Sequence, residues 1–489
     1  MTVSAYGIIV FGLYLLVIIA LGLIAARQQN TTEDFWVAGR RFGVGVMIMA
    51  NMAAIMHGGS ILSGVAFAGR FGGIAILPYI SFALGVACIY FFFARKLRRS
   101  GGFTLPDYMG DRFNSNLLRG WSALVVAVSC IVYLIAQIRG MAFILERLLE
   151  IPFFWGLVLG TVLFVAYVAL GGLLAVVWTN IAQFLFMWAG LIIIMPAVYE
   201  AVGGWTAVMT QVEAVAPGWT NVTGTEWSVG YLFSWYLVWL IAYATRLELI
   251  TKMYAAKSPS VAARSLPWSI LLVMVFLLYG NIYLGGAARL LVWDDITSPD
   301  QAFPLMIVQL LGPGLAALAL TGIASAAMST TDSLLLMSGS AVAHDLIRRC
   351  FHEPRGIKKD ETYYLRVSRY TIIAVGVLAF ICSIPDLGMI LRIVSFAIAI
   401  VGSAFFLPLL IGLTSRKLGT VPTLASSISG VVFASIWIGG TLTGMSWAAS
   451  LHPIIPGLCA AAVAMIATLP FNQTPPDASI GKFFTRALP

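Results

Sequence analysis

The sequence predicts an all-α polytopic membrane protein of thirteen transmembrane helices, on three observations. Of 489 residues, 60% are hydrophobic and only 10% are charged, with a mean hydropathy of +0.94, a balance foreign to water-soluble domains. Apolar runs of about 20 residues, enough to cross a bilayer as a helix, recur from end to end. Lys and Arg gather in alternate connections between those runs, as they do when basic loops face the cytoplasm. The net charge of +9 is therefore read as orientation and attraction to anionic lipid of the bilayer, not as nucleic-acid binding.

The first run, Val3–Ala26, is read as a retained span: no basic stretch precedes it and no small-residue cleavage pattern follows. Arg27, Arg40 and Arg41 put the next connection inside and the N-terminus outside. The second run, 44–68, has His57-Gly58-Gly59-Ser60 at its midpoint, where a helix is expected to break and expose backbone carbonyls. The third, 73–94, leads into Arg95, Lys96, Arg98 and Arg99. The fourth, 121–149, holds Tyr133, Gln137 and Arg139; the fifth, 153–170, ends at a Gly171-Gly172 break before the sixth, 177–198. The stretch 202–228 has no Lys or Arg but has Trp205, Trp219 and Trp227, which fits an outer connection with interfacial aromatics. Its sequon, Asn221-Val222-Thr223, is taken as accidental.

The seventh run, 229–250, contains Arg246 and Glu248, and Lys252, Lys257 and Arg264 mark its inner side. The eighth, 267–291, precedes an acidic outer connection with Asp294, Asp295 and Asp300. After an amphipathic piece at 303–311 comes the ninth run, around 321–340, and then the most basic connection, 348–369. Runs at 370–384, 389–413, 421–442 and 448–469 complete the spans, and the polar tail 471–489 is expected to be cytoplasmic and frayed.

An odd number of spans puts the termini on opposite sides. Runs two to six and seven to eleven form two blocks of five, and an odd block repeated once is inverted in the membrane, a plan common among secondary transporters. The expected division is a peripheral helix and loop at 1–43, a first repeat at 44–201, an external loop at 202–228, a second repeat at 229–413, and two peripheral helices with a tail at 414–489. The five Cys show no paired spacing, so neither a disulfide framework nor a zinc site is indicated.

The ninth run concentrates the chemistry. Within TGIASAAMSTTDSLLLMSGS stand Ser325, Ser329, Thr330, Thr331, Asp332 and Ser333. Hydroxyls and a carboxylate in hydrocarbon face a protein interior or a wet cavity. Ala326, Ser329 and Thr330 lie at i, i+3 and i+4, on one helical face, and their oxygens suit a small hard cation. The alternative is that each hydroxyl bonds back to the carbonyl one turn earlier.

At this point the motifs converge. DFWVAGRR (34–41), YLIAQ (133–137), GGLLAVVWTNIAQ (171–183), MYAAKS (253–258), AAMSTTDSLLL (326–336) and SAVAHDL (340–346), in this order and spacing, resemble the sodium:solute symporter family over nearly the whole chain. The resemblance implies thirteen helices with a LeuT-type inverted five-plus-five repeat core, in a bacterial inner (plasma) membrane. It implies a sodium ion between the first and eighth core helices, held by the Ala326 carbonyl and the Ser329 and Thr330 hydroxyls. The first-helix ligands would be two carbonyls three residues apart, Asn51 and Ala54, or Ala50 and Ala53 after a one-residue slip. The chain departs from the family in two places. Trp178-Thr179-Asn180 replaces the usual Trp-Thr-Asp, which removes a charge from the ion exit route and predicts about one sodium per cycle. Arg246-Leu247-Glu248 stands where relatives have Gln-Pro-Gln or similar.

For the solute, Arg246 and Arg139 suit a clamp on a carboxylate, or else internal pairing and snorkelling, Arg246 with Glu248 and Arg139 toward the interface. Tyr133 and Gln137, four apart, face either a ligand or neighbouring helices. His57, Gly58 and Ser60 at the suspected break belong to the candidate solute site, His57 touching solute or serving as a bonded structural group. Asp332 and Ser333 are expected to support the ion site or anchor the helix. The resemblance leans toward small organic anions, monocarboxylates or pantothenate, while proline, sugars and other neutral solutes stay open. A receptor with a transporter fold is the competing function; it would be expected to carry a signalling domain, which the tail does not supply. No metal cluster or nucleophile–base pattern indicates an enzyme. The oligomeric state is not set by these features.

Overall fold

The computed structural model describes residues 2–27, 37–223, 229–475 and 477–484. The first three residues of DFWVAGRR, and Trp227, lie outside them. Apart from one bridge between Phe42 and Ala256, the described residues form helices and their connections. Eleven helical runs among them are long and apolar enough to cross a membrane. Helices are the expected form, because a helix meets its backbone hydrogen bonds within itself where no water can.

Helix α1 (Val3–Ala26) turns Ile8, Leu13 and Leu16 outward, as a lipid-facing peripheral span does. The second run is interrupted where its glycines stand, giving α2 (Val44–Ile55) and α3 (Gly58–Phe71). Helix α4 (Leu77–Cys88) continues through a π turn to Ser100, and a short α5 (Leu105–Phe113) occupies the basic connection. Helices α6 (Asn116–Leu149) and α7 (Phe153–Val202) follow, with α8 (Trp205–Val215) on the outer connection. The second block comprises α9 (Val229–Ala244), α10 (Leu247–Ala255), α11 (Pro259–Val275), α12 (Asn281–Leu291), α13 (Ala302–Leu310), α14 (Pro313–Ser340), α15 (Glu361–Ser383) and α16 (Ile390–Thr414). Helices α17 (Thr420–Leu442), α18 (Ile454–Thr468) and α19 (Asp477–Phe484) close the chain.

Three expectations are corrected. The seventh run is not continuous: Thr245 and Arg246 separate α9 from α10. Gly171-Gly172 does not interrupt the helix, and α7 is helical for 50 residues, its first half beside Phe143 of α6 and its second against Ala319 of α14. Its apolar stretches Phe153–Ala169 and Ala175–Val202 correspond to the two expected spans. Two glycines in a helix cost less than unmet backbone groups in hydrocarbon. The basic connection at 348–369 is largely helical, since α14 runs on as a π helix to His352 and α15 starts at Glu361.

Helix α14 is the axis of the bundle. Every residue from Ala319 to Ser340 is buried, and α14 packs along α7 and against α6, α3 and α2. The approach to α7 is backbone to backbone. A Cβ added to Gly322 would lie 2.4 Å from the Phe186 carbonyl oxygen, and one added to Gly190 would lie 2.7 Å from that of Ala319. Small residues permit such contact between membrane helices.

Candidate functional site

The break between α2 and α3 is built by one hydroxyl. The His57 N–H donates to Ser60 Oγ at 2.8 Å, and Ser60 Oγ lies 3.1 Å from the Ile55 carbonyl oxygen and 3.0 Å from that of His57. The last helical turn of α2 thus hands its carbonyls to other partners. Ser329 Oγ of α14 sits 3.1 Å from the Ala53 carbonyl oxygen and 3.0 Å from that of Ala326. Thr330 Oγ1 is buried and has no hydrogen-bond partner among the described residues. Three oxygens, the Ala53 and Ala326 carbonyls and the Ser329 hydroxyl, therefore meet where α2 faces α14, and Thr330 follows Ser329 on α14. A set of neutral oxygens with one unmet hydroxyl fits a small hard monovalent cation.

The register of α2 follows from these bonds. Ala53, the slipped alternative, faces Ser329. The Ala54 carbonyl instead accepts from Arg246 Nη2 at 2.7 Å. Asn51 directs its amide to Ser265 Oγ at 3.1 Å, and the Ala50 carbonyl accepts from Lys252 Nζ at 2.8 Å. The placement at Asn51 and Ala54 thus does not meet α14 through the bonds seen, whereas Ala53 does.

On the other side of the break lies a cluster around Tyr133. Its hydroxyl is 3.3 Å from His57 Nε2 and accepts from Arg246 Nη2 at 3.2 Å. Arg246 caps the start of α10; its Nε is 3.5 Å from Glu248 Oε2 and its guanidinium lies 4.9 Å from the Tyr243 ring centroid. Glu248 Oε1 has no hydrogen-bond partner. A cavity of about 30 Å³ opens between Tyr133, Thr245, Arg246, Glu248, Leu334 and Val401, room for one water. Gln137 is buried, and neither end of its amide has a partner among the described residues. Its Oε1 would lie 3.1 Å from a Cβ at Gly58, so the amide rests on the break itself. Asn281 Nδ2 donates to the Ser60 carbonyl at 2.7 Å, tying α12 to the same turn.

Arg139 is elsewhere. It donates to the Ser383 and Pro385 carbonyls at 3.1 and 2.8 Å and pairs with Asp386 at 2.8 Å. It holds the connection between α15 and α16, apart from the Tyr133 cluster, and reaches an exposed carboxylate, in line with the outward, snorkelling alternative. The carboxylate of Asp332 turns toward α7, with Thr179 Oγ1 at 3.5 Å and Gln183 Nε2 at 3.4 Å. Ser333 is buried and its hydroxyl has no partner. Asn180, its amide oriented to satisfy its neighbours, donates to the Ser329 carbonyl at 3.3 Å and to Gln183 Oε1 at 2.9 Å, and accepts from Lys252 Nζ at 3.3 Å.

Sequence reasoning missed Lys252 as a buried residue and Thr245 as a break. Lys252 passed for a marker of the inner surface, although its charge stands only six residues beyond Arg246 in an apolar run. Thr245-Arg246 carries neither Gly nor Pro, though polar residues inside the seventh run gave a signal.

The model of the sodium:solute symporter family matches residues 35–430 of this chain. The osmoregulated proline transporter OpuE of Bacillus subtilis (strain 168) is 27% identical over 488 residues, covering 97% of each chain. The sodium/pantothenate symporter of Escherichia coli (strain K12) is 24% identical over 478 residues, 96% of this chain and 97% of that protein. The monocarboxylic acid transporter of Corynebacterium glutamicum is 25% identical over 506 residues, 94% of this chain and 90% of that protein. Among solved structures, a sodium-coupled sialic acid symporter in a substrate-bound outward-open state superposes with a TM-score of 0.76 at 18% identity, covering 96% of this chain and 98% of that one. That last likeness is one of fold.

Proposed function

The chain belongs to the sodium:solute symporter family, and on that premise we propose that it imports a small organic anion, of the monocarboxylate or pantothenate kind, together with sodium by alternating access. The proposed ion ligands are the carbonyls of Ala53 and Ala326 and the hydroxyls of Ser329 and Thr330. One observation carries this assignment: Ser329 Oγ lies 3.1 Å from the Ala53 carbonyl, joining two helices far apart in sequence through oxygen alone. An ion bound there ties α2 to α14 and stabilises the conformer in which the break is ordered. Solute and sodium cooperate only if each prefers that same conformer. Arg246, with Tyr133, His57, Gly58, Ser60 and Gln137 around it, supplies the donors for a solute carboxylate. Asp332 supports the ion site by seating α14 on α7 through Thr179 and Gln183, with Ser333 next to it on α14.

The thirteen-span arrangement, with five-plus-five inverted repeats at 44–201 and 229–413, belongs to the same proposal. So do an outside N-terminus and a cytoplasmic C-terminus in a bacterial inner membrane. Both blocks open with a broken run, α2/α3 and α9/α10, which supports the repeat. Asn180, neutral, favours one sodium per cycle.

A second reading, a neutral solute or an amino acid such as proline, draws on Glu248. Arg246 already has that carboxylate at 3.5 Å, so its charge is partly answered before any solute arrives. Uptake into proteoliposomes with and without a sodium gradient, preceded by a thermal-shift screen of carboxylates, amino acids and sugars, tests both. Sodium-dependent accumulation of a carboxylate is the result expected; binding without accumulation overturns transport, and sodium-dependent uptake of neutral solutes alone favours the second reading.

A further inference from the structure

We propose that Lys252 is a tethered cation on the sodium path, which weakens ion binding enough for release and keeps a second sodium from entering. The proposal rests on the sodium reading above. Lys252 lies on α10 and is 1% exposed. A buried ammonium is costly unless paired, yet its partners are neutral oxygens: the Ala50 carbonyl at 2.8 Å and the Asn180 amide at 3.3 Å. Glu248 stands one turn back on the same helix, but its carboxylate faces Arg246 at 3.5 Å, and those two charges offset each other. Among the described residues no carboxylate pairs directly with the Lys252 ammonium, and Glu248 acts on it only at longer range.

Both of its partners lead to the ion site. Ala50 is one helical turn before Ala53 on α2, so the ammonium holds the carbonyl next along the oxygen face. Asn180 touches Lys252 with its oxygen and the Ser329 carbonyl with its nitrogen. Lys252 therefore occupies the oxygens that a second cation would need. In a low-dielectric interior its repulsion of a sodium at Ala53 and Ser329 is substantial. A neutral Asn180 does not cancel that charge, whereas a carboxylate would.

The test uses the full chain in proteoliposomes, reading sodium half-saturation and the sodium-to-solute ratio. Lys252→Gln is expected to lower the half-saturating sodium concentration about tenfold or more and to raise the Hill coefficient above about 1. Lys252→Arg, which keeps the charge, is expected to stay near wild type. Asn180→Asp keeps the lysine but neutralises it, and is expected to move sodium half-saturation in the same direction as Lys252→Gln, so the proposal is tested even if that variant does not fold. A sodium-dependent wild type in which Asn180→Asp, and Lys252→Gln where it folds, leave half-saturation within about twofold overturns this proposal alone. So does Lys252→Arg behaving like Lys252→Gln, which would show a role of shape. A wild type indifferent to sodium overturns both this and the symport reading.

Discussion

The hydroxyl of Ser329 stands 3.1 Å from the carbonyl oxygen of Ala53, 276 positions away in the chain. Replacing Ser329 and Thr330 together by Ala removes two of the four proposed ion ligands. Sodium half-saturation is expected to rise by about 100-fold, at roughly 1–2 kcal/mol per lost ligand. Uptake as a function of sodium concentration checks it, and an unchanged curve would place the ion elsewhere.

Gln137 presents a buried amide that no protein group answers. Gln137→Leu is expected to keep or raise thermal stability, since an unmet polar group costs about 1–3 kcal/mol, while solute affinity falls about tenfold or more. A lower Tm with unaltered solute binding would assign the amide to packing instead.

Asp107 anchors the short helix α5. It accepts from the Phe103 N–H at 3.1 Å, meets His344 Nε2 at 2.9 Å and has Arg119 Nε at 3.7 Å. Burial pushes its pKa up, but His344, Arg119 and that N–H outweigh burial and hold the carboxyl below its ordinary value of 3.8. A depressed carboxylate stabilises the fold fully above the unfolded pKa and loses that contribution as pH falls through the folded one. Asp107→Asn should therefore lose about 3–5 kcal/mol near neutral pH and show a flatter dependence of Tm on pH below about 4. Thermal unfolding in detergent across that range gives the comparison.

Gly322 meets the Phe186 carbonyl too closely for any side chain. Gly322→Ala should cost more than about 1–3 kcal/mol, because backbone and not a mobile side chain is in the way. Gly12, which has nothing within 4 Å of an added Cβ, should accept Ala within about 0.5 kcal/mol. Yield of folded protein by size-exclusion chromatography separates the two.

Much of the architecture was legible because hydrocarbon enforces it: helix was the only way for these apolar runs to meet their backbone bonds. The break at His57 announced itself through paired glycines and a capping serine. The break at Thr245 did not, since Thr245 and Arg246 are neither Gly nor Pro, and both the N–H and the hydroxyl of Thr245 turn back to the Ile241 carbonyl. Ser329 and Thr330 could be proposed from their shared face, whereas the sequence offered no means to choose between Ala53 and Ala54, because a backbone carbonyl leaves no mark in side-chain identity. Arg139 looked like a ligand because its partner, Asp386, sits in a connection that sequence spacing does not bring near. Gly171-Gly172 read as punctuation, yet tertiary packing carried the helix through.

The turn at His57 is closed by Ser60, a residue of the second half-helix, and not by a neighbouring element. A joint that carries its own hydrogen bonds can flex without stranding any of them in a dry interior. Any swing of α2 about that joint must instead release the bonds along its flank, those of Ser329 to Ala53, Arg246 to Ala54, Asn51 to Ser265 and Lys252 to Ala50.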